Sequence, residues 1–312
     1  MKAFIFDPIW DKLINEDLLD KLENSGLELI VKTEVAPLSD CKELFLGDED
    51  RILCLNPDYV GWELKSDDYR QIPNLKGIFT ESTSFSWINQ DLADEENIPV
   101  CNIKNFSTQA VAEWAITQMF NISRCIPLLI KDEFPLDFAD DFFKYRGIEL
   151  MGKTAAIIGL GNIGSAIAER CAGLGMNVIY WSKSPKQNSY VSKQLKEIFV
   201  EADVVFPTMA VNEESKTVVN NELIDSMKTS AMLIAVEHHL FDLDFVVNKV
   251  KKSEIFGFGF EADPGSFQNY KGNVWAAPAY GWVTKESMDN SMVKWIDNMV
   301  EAVSGSFPNR VN

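Results

Sequence analysis

The sequence predicts an α/β protein made of two doubly wound parallel-sheet domains. Three observations carry that prediction. Short apolar runs alternate with helical stretches from one end of the chain to the other, the pattern of parallel sheets covered by helices. Near the middle, a strand runs through a glycine loop directly into a helix. The length of 312 residues suits about two domains, each able to bury its own core.

In chain order, strands are expected over residues 2–6, 28–31, 52–55, 75–79 and 98–102, with a helix over 16–24. A long helix is expected over 108–130, because Ala110, Val111, Trp114, Ala115 and Met119 recur near helical spacing. The segment 132–146 mixes Phe134, Phe138, Phe142 and Phe143 with acidic residues. It reads as a subunit contact or as a Pro-broken helix packed on its own domain. A second α/β unit follows, with strands over 154–158, 177–181, 203–206, 231–236, 255–260 and 274–277. An amphipathic helix over 285–303 and a short tail close the chain.

Composition narrows the function classes. Lys and Arg number 29 against 47 Asp and Glu, a net charge of −18. Nucleic-acid binding needs a basic footprint, and docking on an anionic membrane needs basic residues too, so neither partner is expected. The run Ala3-Phe4-Ile5-Phe6 ends at Asp7, too short for a secretory leader. No apolar stretch reaches the roughly 18 residues of a membrane span. The five cysteines, Cys41, Cys54, Cys101, Cys125 and Cys171, are scattered without paired spacing. Neither a zinc site nor a disulfide framework is expected, and a cytoplasmic setting fits best. Only two histidines occur, the adjacent His238 and His239.

The strongest motif is Thr154-Ala155-Ala156-Ile157-Ile158 running into Gly159-Leu160-Gly161-Asn162-Ile163-Gly164 and then a helical stretch over 165–172. A lone GxGxxG is weak; a strand before and a helix after make it a dinucleotide fingerprint of the Rossmann type. Gly159 permits the tight turn, Gly161 lets backbone approach a pyrophosphate, and Gly164 lets helix and strand pack closely. The exposed N–H groups and positive dipole end of the helix face the phosphates, with Asn162 and Ile163 in the first turn. An NAD site usually ends its second strand with Asp or Glu. Here that end reads Tyr180-Trp181-Ser182-Lys183-Ser184-Pro185-Lys186. Ser182, Lys183, Ser184 and Lys186 suit a 2′-phosphate, so NADP is favoured over NAD.

Several further segments resemble the D-isomer-specific 2-hydroxyacid dehydrogenases, the superfamily that includes phosphoglycerate, glyoxylate/hydroxypyruvate and formate dehydrogenases. They are Ile98-Pro99-Val100-Cys101-Asn102 with Ser107-Thr108-Gln109-Ala110-Val111-Ala112-Glu113, then Gly147, Glu149-Leu150 and Gly152-Lys153-Thr154. Ala202-Asp203-Val204-Val205 through Asn212-Glu213-Glu214-Ser215-Lys216-Thr217, and Gly257-Phe258-Gly259-Phe260-Glu261, complete the set. The resemblance implies a flavodoxin-like substrate domain over 1–102 and 285–312, a Rossmann domain over 103–284, and a homodimer. It also implies a small-molecule substrate, met by the loop containing Thr83, Ser84 and Trp87 and by Trp282.

The family's catalytic trio does not carry over. Its Pro-His pair falls on Pro278-Ala279, so the acid/base histidine is Ala279. Its substrate-gripping Arg falls on Glu237 or His238, and its Glu falls near Gly265-Ser266. General acid/base catalysis contributes about 10²–10⁴-fold. A glutamate about 4 Å from a substrate carboxylate costs on the order of 4 kcal/mol at an effective ε near 20. Ordinary 2-hydroxyacid oxidation is therefore expected to be poor. The resemblance points instead to an NAD(P)-dependent oxidoreductase with a rebuilt site and a non-standard substrate. Glu237, His238, Glu261, Asp263 and Tyr280 are the candidate proton-handling groups, and Glu261 is also a candidate cofactor contact. The alternative is an inactive NAD(P)-binding sensor or scaffold. No metal-ligand spacing is present.

Overall fold

Residues of the first strand alternate between two cores. In β1 (Lys2–Phe6), Phe4 and Phe6 join one apolar cluster while Ala3 and Ile5 join another. β3 (Arg51–Leu55) divides the same way, with Leu53 and Leu55 on one side and Ile52 and Cys54 on the other. Strands buried on both faces are what a parallel sheet covered by helices requires.

The computed structural model describes residues 1–132, 143–184, 186–262 and 270–312. The chain divides into two units: Met1–Ser107 with Lys285–Asn312, and Thr108–Thr284. Residues 103–107 go with the N-terminal unit, where Ile103 is buried and its N–H donates to Ser82 O.

In the N-terminal unit, β2 (Glu28–Lys32), β4 (Leu75–Thr80) and β5 (Val100–Cys101) complete a parallel sheet of order β2-β1-β3-β4-β5. This is the flavodoxin-like order. The helix Lys285–Ala302 covers one face. Trp295 Nε1 donates to Phe79 O at 3.1 Å and Asn298 Nδ2 to Asn102 O at 3.0 Å. The tail then returns to β5 through Val311 N–H to Val100 O.

The second unit holds a seven-stranded sheet, order β12-β11-β10-β9-β6-β7-β8. Its members are β6 (Thr154–Ile158), β7 (Asn177–Trp181), β8 (Val191–Ser192), β9 (Val204–Pro207), β10 (Met232–Ala235), β11 (Gly257–Ala262) and β12 (Val274–Pro278). Every pairing is parallel. The sheet order reverses between β6 and β9, the switch point at which Rossmann sheets bind their ligand.

Three sequence expectations need correcting. The long helix over 108–130 is two helices, Thr108–Ser123 and Ile126–Lys131. Cys125 adopts a left-handed φ of 55° and Pro127 begins the second helix, so the ladder breaks there. The strand over 98–102 shrinks to two residues, because Asn102 N–H turns to Asn309 O. β8 was not anticipated; two exposed residues carry no periodic signal. All five cysteines are free and buried. Among the described residues no helix is long and apolar enough to cross a membrane. Most of segment 132–146 lies outside the described residues.

Candidate nucleotide and proton-handling site

β6 delivers the glycine loop to the carboxyl edge of the sheet, and each glycine there answers a different demand. Gly159 has φ 103°, a region that favours glycine, and a Cβ on it would lie 2.8 Å from Met209 Cγ. A Cβ on Gly164 would lie 2.3 Å from Gly159 O, 2.7 Å from Thr208 Oγ1 and 2.9 Å from Ile157 Cγ2. That glycine is what lets the helix Asn162–Gly173 sit on its strand. A Cβ on Gly161 would meet nothing within 4 Å, so this backbone stands open to an approaching group. Gly161 and Asn162 are exposed, and Ile163 packs partly into the core below. A helix N-terminus with open glycine backbone fits a pyrophosphate. Thr208 and Met209, which buttress the loop from β9, were not singled out from sequence. Nothing but their place after a strand marks them there.

At the end of β7, Ser182 is half-buried and Lys183, Ser184 and Lys186 are exposed; Pro185 lies outside the described residues. The Lys183 ammonium pairs with Glu214 Oε2 at 2.6 Å, with both side chains mostly in solvent. Such a surface pair is worth about 0–1 kcal/mol, so a phosphate dianion can compete with it. The positive charge that the sequence places here is thus offset at Lys183 by Glu214.

The carboxyl ends of β10, β11 and β12 bring the other candidates together. Glu261 is half-buried on β11. Its Oε1 accepts from Gly281 N–H at 2.8 Å. Burial pushes its carboxyl up to about 7, with the Gly281 bond opposing and the charge of Glu237 adding to the rise. Gly281 must lack a side chain, because a Cβ there would fall 2.2 Å from Glu261 Oε1 and 2.6 Å from Trp114 Cδ1. Gly281 is a site residue missed from sequence.

Glu237 follows β10 and caps the 3-10 turn His238–Leu240, accepting from His239 N–H. Its Oε1 is 2.6 Å from His239 Nδ1. The carboxylate therefore engages His239. The His238 ring stacks on His239 at 4.1 Å and meets Phe260 edge-on at 5.7 Å. Ligand atoms of Glu237, His238 and His239 all lie within 4.8 Å of one another, a convergence that no spaced metal motif in the sequence announces. Ala279 is half-buried, with Tyr280 65 % and Trp282 39 % exposed beside it. Asp263 and Gly265-Ser266 lie outside the described residues.

In the N-terminal unit, Thr83 O accepts from Asn102 Nδ2 at 2.7 Å, and Ser84 O accepts from Ser82 Oγ and Trp87 Nε1. Trp87 corrects an expectation. It is only 8 % exposed and packs against Trp62, so it stabilises its loop from beneath instead of walling a pocket. The same strand ends hold a carboxyl cluster that sequence reasoning passed over. Asn56 Nδ2 donates to Asp7 Oδ1 at 3.1 Å and to Glu81 Oε2 at 2.9 Å, while Ser291 Oγ donates to Glu81 Oε1. Burial raises Glu81 to about 8 and Asp7 to about 6.

Residues 118–263 match the family described as D-isomer specific 2-hydroxyacid dehydrogenase, NAD binding domain. The chain is 28 % identical over 261 residues to a glycerate dehydrogenase of Methylorubrum extorquens, covering 80 % of this chain and 82 % of that protein. A D-lactate dehydrogenase from Lactobacillus jensenii solved with NAD+ superposes over the whole of both chains, with a TM-score of 0.80 at 21 % identity. An acyclic imino acid reductase solved with NADPH and D-Arg also superposes over both whole chains, at 0.79 and 21 %. The last two show the shared fold, and their two cofactors leave the preference between NAD and NADP open.

Proposed function

The chain belongs to the D-isomer-specific 2-hydroxyacid dehydrogenase superfamily of oxidoreductases, and on that premise we propose that it reduces a carbonyl compound bulkier than glyoxylate, with NADPH preferred. The reading rests chiefly on one observation. Glu261, a carboxyl raised to about 7 and held by Gly281 N–H, stands on the same sheet edge as the glycine loop. When bound, the nicotinamide cofactor supplies hydride to the carbonyl carbon. Glu261 supplies the proton to the carbonyl oxygen, and a donor whose pKa lies near the working pH suits that task. Gly281 N–H then holds the carboxylate that remains. The small Ala279, flanked by Tyr280 and Trp282, leaves room for a larger substituent. Thr83 and Ser84 remain candidate substrate contacts. Phe143, 78 % exposed, is a candidate contact in a homodimer.

The test is NADPH oxidation against a panel of carbonyl compounds. Glyoxylate and hydroxypyruvate should be reduced negligibly, and at least one bulkier carbonyl compound should turn over. Turnover of glyoxylate at an ordinary rate of about 1–10³ s⁻¹ would contradict the rebuilt site. Tight NADPH binding with no turnover across the panel would favour an inactive nucleotide sensor.

A further inference from the structure

Two imidazoles and a carboxylate converge just past β10. Glu237 caps the turn that carries both histidines, and Leu240, fully buried, anchors that turn in the core. The turn leaves the rings of His238 and His239 with centroids 4.1 Å apart and planes 33° apart. Phe260 limits the swing of His238 from one side. Glu237 Oε1 and His239 Nδ1 already face each other at 2.6 Å, and the ligand atoms of all three residues lie within 4.8 Å.

From this geometry we infer that Glu237, His238 and His239 bind one divalent transition-metal ion of the zinc type. Imidazole nitrogen with carboxylate oxygen suits Zn, Ni, Co or Cu and disfavours Mg or Ca, which take oxygen ligands. Bonds of about 2.0–2.2 Å to a tetrahedral ion place donor atoms roughly 3.3 Å apart. Glu237 Oε1 and His239 Nδ1, now at 2.6 Å, must part by under an ångström, and the widest separation, at most 4.8 Å, must close by about 1.5 Å, shifts that side-chain rotation provides. His239 and Glu237 are the mobile partners, with side chains 52 % and 36 % exposed. The ion takes the place of the hydrogen bond between His239 and Glu237.

The charge balance favours the ion. Glu237 and Glu261 put two carboxyls near each other at adjoining strand ends, and the charge of Glu237 acts on Glu261. The whole chain carries −18, which concentrates cations at its surface. Three protein ligands leave a coordination position open, the arrangement of catalytic and not structural zinc. Resting on the oxidoreductase reading above, an anionic or carbonyl oxygen of the substrate would take that position. The cation would then stand where the resemblance places an arginine and this chain has Glu237 or His238.

Metal-stripped full-length protein is titrated with Co²⁺ and followed by visible absorption, and with Zn²⁺ in competition with a chromophoric chelator. Native protein should take up one ion per chain and show the d–d bands of cobalt held by nitrogen and oxygen. His238→Ala, His239→Ala and Glu237→Gln should each weaken uptake by at least about tenfold, since loss of outer-shell partners alone costs 10–100-fold. NADPH binding serves as the folding control for each variant; the exposed His239 position is the mildest of the three. No uptake by native protein, or uptake unchanged in all three variants, overturns the inference. Turnover plays no part in this readout. A chain that binds the ion but reduces nothing would overturn the oxidoreductase reading alone.

Discussion

Two stretches of the seven-stranded sheet's carboxyl edge make different demands on the sequence. Around β6 the demands fall on the backbone: a positive φ at Gly159, an open approach at Gly161, a close contact at Gly164. No other residue type meets them, and all three glycines are present. Around β10, β11 and β12 the demands fall on side chains, where one proton donor or cation can replace another. There the resemblance sets Ala279 at its histidine position and Glu237 or His238 at its arginine position, and the proposed function builds on that placement. The same stretch holds Glu261, bonded by Gly281 N–H, and the Glu237–His239 pair. The glycine geometry is local to one loop, whereas the proposed proton chemistry is assembled from separate strand ends.

The sharpest way to break that comparison lies within the glycine loop. Gly164→Ala gains about 1 kcal/mol of helix propensity, but its Cβ would press on Gly159 O at 2.3 Å. Backbone cannot yield that far cheaply, and overpacking costs about 1–3 kcal/mol. A lower Tm and loss of detectable NADPH binding are expected. Gly161→Ala meets nothing within 4 Å and should leave stability within about 0.5 kcal/mol while still weakening the nucleotide. Equal effects of the two substitutions, by calorimetry and titration, would show that the glycines are not doing separate jobs.

On the β11 side, the proposed role of Glu261 predicts that Glu261→Gln should lower carbonyl reduction by about 10²–10⁴-fold with little change in Tm. The pH profile gives the sign. Reduction needs the protonated carboxyl, whose pKa is raised to about 7. The rate of native protein should therefore hold below pH 7 and fall above it. In the variant that limb should vanish. A variant that retains both the rate and the alkaline limb would move the proton to another group.

The same contrast explains what was legible in the sequence. Thr154–Ile158, Asn177–Trp181 and the helix Glu16–Asn24 stand where apolar periodicity places them, because burial on a fixed period leaves a local trace. The glycine spacing is equally local. The Glu261–Gly281 bond spans twenty residues, and the Asp7–Asn56–Glu81 cluster joins three strand ends. Nothing local records such pairings. Trp87 was misjudged for a related reason. An aromatic residue in a substrate-like loop looks exposed until its partners, Trp62 and Ser84 O, are known.

The carboxyl cluster of the N-terminal unit repeats the device at Glu261: acids held by neutral donors, without a cation among the causes of their shifts. Its consequence is for stability. The folded chain holds protons on Asp7 up to about pH 6 and on Glu81 up to about pH 8. An unfolded chain releases them near pH 4. The folded state thus binds more protons, and stability must fall as pH rises through that window and level off above it. The change is a few kcal/mol at most, given that Glu81 is only half-buried. Glu81→Gln should flatten the fall between pH 6 and 9 in urea denaturation. An unchanged slope would show that Glu81 is ionised in the native protein.

The smallest expected effect concerns the nucleotide's far end, where side chains and not backbone choose between NADP and NAD. Lys183 is the nearest candidate for a 2′-phosphate, but its ammonium is engaged by Glu214 at 2.6 Å. Binding NADPH must break that pair and bring a dianion close to the Glu214 carboxylate. The pair is solvent-exposed, so removing it releases about 0–1 kcal/mol, which caps the gain near fivefold. Glu214→Gln should therefore tighten NADPH by up to about fivefold and leave NADH unchanged, since NADH has only hydroxyls at that position. A gain shared by both cofactors would reflect a general reduction of negative charge. A loss of NADH affinity would mean that Glu214 receives the ribose hydroxyls, supplying from the β9 loop the carboxylate that β7 lacks, and the preference for NADPH would be reversed.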